Sequence, residues 1–71
     1  MEQVTLREGE SFIRLGQALK KTGIAASGAE AAALIAAGSV RVNGITETRR
    51  GKKLYVGDSF AFGAKQVQIT A

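Results

Sequence analysis

Gly38-Ser39-Val40-Arg41-Val42-Asn43-Gly44 is the stretch from which the fold of this 71-residue chain is read. A helix runs into a small-residue stop at Gly38, a strand alternates through Val40, Arg41, Val42 and Asn43, and Asn43-Gly44 turns the chain back on itself. Asn-Gly between alternating residues is the strongest short-range hairpin signal, because both central positions of a type I′ turn need φ > 0. Val40 and Val42 are therefore expected on one face of a sheet, with Arg41 and Asn43 on the other.

Working outward, Leu15, Ala18, Leu19 and Thr22 recur at helical spacing, and Gly23 is placed to end that helix. Ser27-Gly28-Ala29-Glu30 is a capping box, followed by an alanine-rich helix with Ala31, Leu34, Ile35 and Gly38 on one stripe. Val4-Thr5-Leu6-Arg7 alternates as a short half-buried strand, and Glu8-Gly9-Glu10 reads as a loop. Past the hairpin, Ile45 and Thr46 begin a return strand and Arg49–Lys53 interrupts the apolar pattern. Leu54-Tyr55-Val56 is strand-like, Gly57-Asp58 turns, and Phe60 and Phe62 alternate on a further strand. Gly63-Ala64 turns again before Gln66-Val67-Gln68-Ile69. The sum is one α+β domain over residues 1–71, with two short packed helices followed by a small, mostly antiparallel sheet of four to five strands and one early strand. Phe12, Phe60 and Phe62 are assigned to its core, since so small a domain needs every large side chain.

The net charge of +4 is unevenly placed: four cations and four acids cancel over residues 1–40, and six cations face two acids over residues 41–71. A one-sided excess of this kind suits a polyanionic partner. There is no cysteine, hence no disulfide or thiolate metal site. The longest apolar run, Ala31–Ala37, is too short to cross a bilayer, and the amino terminus has no export pattern. A soluble cytoplasmic monomer with no membrane partner is the expectation.

Catalysis lacks its parts. Histidine is absent as well as cysteine, removing the commonest general base and the best nucleophile. Glu47 and Asp58, the only acids after residue 30, have no evident partner in the sequence. No cofactor is expected, because Arg49-Arg50-Gly51-Lys52-Lys53 lacks the spaced glycines and Lys-Ser/Thr ending of a phosphate-binding loop. Binding is better supported. Four cations in five residues repel one another unless a partner neutralises them. Gly51 is expected to leave the loop free to present them. Arg49 and Arg50 can grip phosphate bidentately, while Lys52 and Lys53 act as mobile point charges. Arg41 extends the patch from the hairpin strand. Lys20 and Lys21 serve equally well as a second edge or as cations stabilising a helix C-terminus. Tyr55 can stack on an unpaired base, although a half-buried strand tyrosine is the simpler reading.

Together, Arg14-Leu15-Gly16-Gln17-Ala18-Leu19, Ser27-Gly28-Ala29-Glu30-Ala31, Ile35 to Gly44 and Gly57-Asp58 resemble the S-four (alpha-L) RNA-binding domain. The similarity covers about residues 12–60. The segment Glu47–Leu54 and the small size are similar to the stand-alone bacterial members of the YbcJ and YaaA type. The resemblance implies an alpha-L fold and a non-enzymatic role. It also implies RNA as partner, ribosomal or transfer RNA, with ribosomal particles as a further partner. RNA contacts are then expected from Arg41, Arg49, Arg50, Lys52, Lys53, Lys20, Lys21 and Arg14. Many family members carry arginine after the serine of the second-helix cap, and stand-alone relatives a lysine further on. This chain has Gly28 and Ala32 there, which shifts the load to Arg41 and the Arg49–Lys53 loop. Two rivals differ in kind. A ubiquitin-like sulfur carrier needs a Gly-Gly carboxyl end, whereas this chain reads Gln68-Ile69-Thr70-Ala71. A protein-interaction module in ribosome assembly or translation would dock the same cations on an acidic partner.

Overall fold

The computed structural model describes residues 1–71. Chain order is β1 (Glu2–Thr5), β2 (Ile13–Arg14), α1 (Leu15–Lys21), α2 (Gly28–Ala36), β3 (Val40–Val42), β4 (Ile45–Thr46), β5 (Lys53–Leu54), β6 (Ser59–Phe62) and β7 (Lys65–Thr70). Five strands form one sheet in the order β1-β7-β6-β3-β4, and β2 pairs with β5 in a second, two-stranded sheet. All pairings are antiparallel except β1 with β7, where Val4 lies opposite Ile69. The fold is α+β, as expected. The additions are β2, too short to leave a periodic signal, and the parallel edge pair, which joins the two ends of the chain.

Asn43 (φ 50°) and Gly44 (φ 82°) both adopt the left-handed region that a type I′ hairpin needs. The alternation lands as read: Val40 and Val42 are buried, and Arg41 and Asn43 are exposed. Leu15, Ala18 and Leu19 of α1 and Ala31 and Ile35 of α2 turn inward. They meet Val4, Val40, Leu54, Phe60, Val67 and Ile69 in a core of 14 buried residues, all apolar. Ile13, Ile24, Leu34 and Phe62 pack on its margin.

Two expectations fail. Leu54-Tyr55-Val56 is not a strand: only Lys53–Leu54 pairs, and Tyr55 and Val56 stand in an exposed turn. The reason lies with Asp58. Its carboxylate accepts the Tyr55 N–H at 2.8 Å, and its own N–H donates to the Tyr55 carbonyl at 2.9 Å, so these groups are withdrawn from any ladder. Phe12 is likewise outside the core, half-buried on the surface beside Tyr55 with ring centroids 6.0 Å apart. Burial of the core is completed by aliphatic side chains and Phe60.

Candidate nucleic-acid interface

The basic loop is built by the start of α1. That helix has Arg14 at its N-cap and no side-chain cap, so its first amides need acceptors from elsewhere. The loop supplies them. Leu15 N–H donates to the Lys52 carbonyl at 2.8 Å and Gly16 N–H to the Arg50 carbonyl at 3.0 Å. Arg14 Nη1 donates to the Gly51 carbonyl at 2.9 Å. With its carbonyls turned in to α1, the loop keeps Arg49, Arg50 and Lys53 exposed and Lys52 half-buried. Gly51 is therefore pinned rather than free, and a Cβ there would come within 3.5 Å of Arg14 Nη1.

Three adjoining depressions run along this junction. One, between the approach to α1 and α1 itself, is lined by Arg7, Glu10, Phe12, Ile13, Arg14, Gln17, Lys20 and Lys21. The next shares Arg14, Gln17 and Lys20 and adds Gly16, Gly28, Arg50 and Gly51. The third shares Gly51 and adds Arg49, Lys52, Lys53 and Tyr55. Eight of the chain's ten cations line them, against the single acid Glu10. Glu10 is already engaged, its Oε1 accepting the Arg7 N–H at 2.8 Å. Arg14, Lys20, Lys21, Arg49, Arg50, Lys52 and Lys53 are thus brought onto one continuous surface. Arg41 is not. It lines a separate depression with Asn43, Ser59 and Gln66, on the exposed face of β3.

Both acids left without partners by the sequence reading have them. Glu47 Oε2 meets Arg49 Nε at 3.1 Å and also accepts the backbone N–H groups of Thr48 and Arg49, each at 3.0 Å. The Arg49 side-chain hydrogen bond, with help from these amides, holds the Glu47 carboxyl down from 4.5 to about 2, and the same contact raises Arg49. Arg49 therefore carries a tethered charge, while Arg50, Lys52 and Lys53 have no acidic neighbour within ion-pair distance. Asp58 serves geometry. Besides the Tyr55 amide, its Oδ1 accepts Asn43 Nδ2–H at 3.1 Å, and Asn43 Oδ1 accepts the Ser59 N–H at 2.9 Å. The Asn-Gly hairpin and the Gly-Asp turn are thereby locked to each other, which fixes the backbone of Tyr55.

Sequence reasoning missed Phe12 as a surface residue. Arg14 Cζ lies 5.5 Å and Lys53 Nζ 4.8 Å from its ring centroid, within cation–π range. The available signal was its place: Phe12 directly precedes Ile13-Arg14, outside the helical stripe that begins at Leu15. Chemically, the surface offers cations of the kind that can pair with an anion, helix-capping backbone that holds the loop in place, and two aromatic rings at one end. No group of three or more acidic side chains assembles into a set of metal ligands.

Comparison with known proteins supports the same fold. The S4 domain family model matches residues 4–70. YbcJ of Escherichia coli (strain K12) is 39% identical over 59 residues, which is 83% of this chain and 84% of that protein. YbcJ of Shigella flexneri shows the same identity and coverage. The solution structure of E. coli YbcJ is described as revealing an αL motif involved in RNA-binding. It superposes with a TM-score of 0.72 at 35% sequence identity, covering 100% of this chain and 89% of that one.

Proposed function

The chain belongs to the S4 domain family, and from that premise we propose that it is a non-enzymatic RNA-binding protein that grips the phosphate backbone of structured RNA. The observation that carries this reading is the continuous surface lined by eight cations and the single acid Glu10, with only Arg49 of the eight paired to an acid, Glu47. Loop cations Arg50, Lys52 and Lys53 neutralise phosphates, with Arg49 assisting while tethered to Glu47. Arg14, Lys20 and Lys21 extend the contact along α1. The rigid helix pair sets recognition by shape, in keeping with how helical RNA is read. Ribosomal or transfer RNA is the class we favour, because the family resemblance points there. Arg41 contacts RNA only where the RNA wraps past the hairpin onto the sheet.

Electrostatic binding of this kind releases counterions, so affinity must fall with salt. For about four phosphates, log K falls against log salt with a slope of roughly −3 on the single-strand coefficient and about −4 on the duplex one. Fluorescence anisotropy of labelled RNA across a salt series measures this, and a flat dependence rules the mechanism out. Pull-downs with and without nuclease separate RNA binding from docking on an acidic protein, since only an RNA-borne partner is released by the nuclease.

A further inference from the structure

Tyr55 is the chain's only tyrosine and there is no tryptophan, yet the residue is 48% exposed in a turn rather than packed in the core. Its backbone is held by two hydrogen bonds with Asp58, and its ring is propped against Phe12 at an interplanar angle of 55°. Phe12 in turn is engaged by Arg14 and Lys53. Tyr55 shares its depression with Arg49, Gly51, Lys52 and Lys53. A ring whose position is set by backbone bonds and a second aromatic loses little freedom on accepting a flat ligand.

We infer that Tyr55 is a stacking platform for one unpaired nucleobase of the bound RNA, with Lys52 and Lys53 taking the phosphates that flank it. This rests on the RNA-binding reading and makes it more specific. A paired helix keeps its base faces in the stack and can offer only phosphates and groove edges to the loop. A bulged or loop nucleotide offers a free π-face, which aromatic side chains take with little regard to base identity. The site would thus select RNA helices interrupted by an unpaired residue, without reading sequence.

The test uses two RNA duplexes of identical sequence, one carrying a single extra unpaired adenosine. Affinity is read from the anisotropy of a dye on the RNA, and stacking from the emission of Tyr55, which is the protein's sole intrinsic fluorophore of its kind. The bulged duplex is expected to bind about tenfold more tightly and to quench tyrosine emission, while the plain duplex binds without quenching. Tyr55→Phe keeps the preference. Tyr55→Ala brings the bulged duplex down to the affinity of the plain one, and an unchanged far-UV circular dichroism spectrum shows that the variant is folded. Equal binding of both RNAs with unquenched Tyr55 overturns the platform and leaves the RNA-binding reading standing. Failure to bind either RNA overturns both.

Discussion

The two helices begin in opposite ways. α2 carries its own cap: Ser27 Oγ accepts the Glu30 N–H at 3.1 Å, and Glu30 Oε1 accepts the Ala26 N–H at 3.4 Å. α1 borrows its cap from the carbonyls of Arg50 and Lys52, far along the chain. A self-contained cap stabilises one helix and constrains nothing else. A borrowed cap makes the helix start and the basic loop a single unit, seated on Leu15 and Leu54, both fully buried. The cationic surface therefore owes its shape to the core and to these main-chain bonds, with Arg14 Nη1 bracing the Gly51 carbonyl, and the side chains of Arg50, Lys52 and Lys53 are not needed to hold it.

Leu15→Ala should strain this arrangement most. Truncating a fully buried leucine costs roughly 3 kcal/mol, a large share of the stability available to so short a chain. Urea denaturation measures it, and a loss below about 1 kcal/mol would mean that α1 is not anchored at this point. Next in size is the combined replacement of Arg49, Arg50, Lys52 and Lys53 by alanine. Main-chain carbonyls survive the change, so the fold should persist. RNA affinity should fall on the order of a hundredfold at about 0.1 M salt, and the salt slope should become shallower while staying negative, because Arg14, Lys20 and Lys21 remain. An unfolded variant would show that side chains hold the loop and would break the contrast between the helices. Unchanged affinity in a folded variant would remove the loop from the interface.

Ser27→Ala sharpens the contrast from the other side. Losing this cap costs about 1 kcal/mol, visible as a lower Tm. The RNA salt slope should stay as in the parent, because the α2 cap makes no bond to the loop. A changed slope would tie α2 to the loop in a way the hydrogen bonds do not suggest. The smallest effect concerns Glu47. Its carboxyl is depressed from 4.5 to about 2 by Arg49, so the ionised form is favoured in the folded chain. That contribution to stability is complete above the unfolded value and drains away as pH falls from about 4.5 to 2. Glu47→Gln should flatten the acid limb of the stability curve. It should also tighten RNA binding slightly at neutral pH by releasing Arg49. An acid limb identical to the parent's would show that the pair does not persist in water.

The features that could be read in advance share one property: each is specified within a few residues. Ser27 and Glu30 cap one turn, Asn43 and Gly44 fill one turn, and Leu15, Ala18 and Leu19 mark one helical face. The features that could not be read are contacts between distant segments. Phe12 looked like core because so small a domain needs its large side chains, and Tyr55 looked like strand because Leu54-Tyr55-Val56 is made of strand-forming residues. Only the pairing of Ile13 with Leu54, and the capture of the Tyr55 amide by Asp58, place the two rings side by side at the surface. Gly51 looked like a point of freedom because no local signal announces that α1 needs its neighbours' carbonyls. Arg41 reads correctly onto the polar face of the hairpin strand, but that face lines a depression of its own with Asn43, Ser59 and Gln66, apart from the loop.

What the amino-acid sequence determined by itself is the two helices, the hairpin, the family resemblance and the surplus of positive charge in the second half. Those follow from turn chemistry, capping and periodicity, all of them short-range. Tertiary structure alone decided which cations stand together, which one is tethered to an acid, and that an aromatic pair closes one end of the surface. The physical reason is that unsatisfied amides at the start of α1 and the closing of one apolar core draw remote segments into contact, and neither demand is written at any single position.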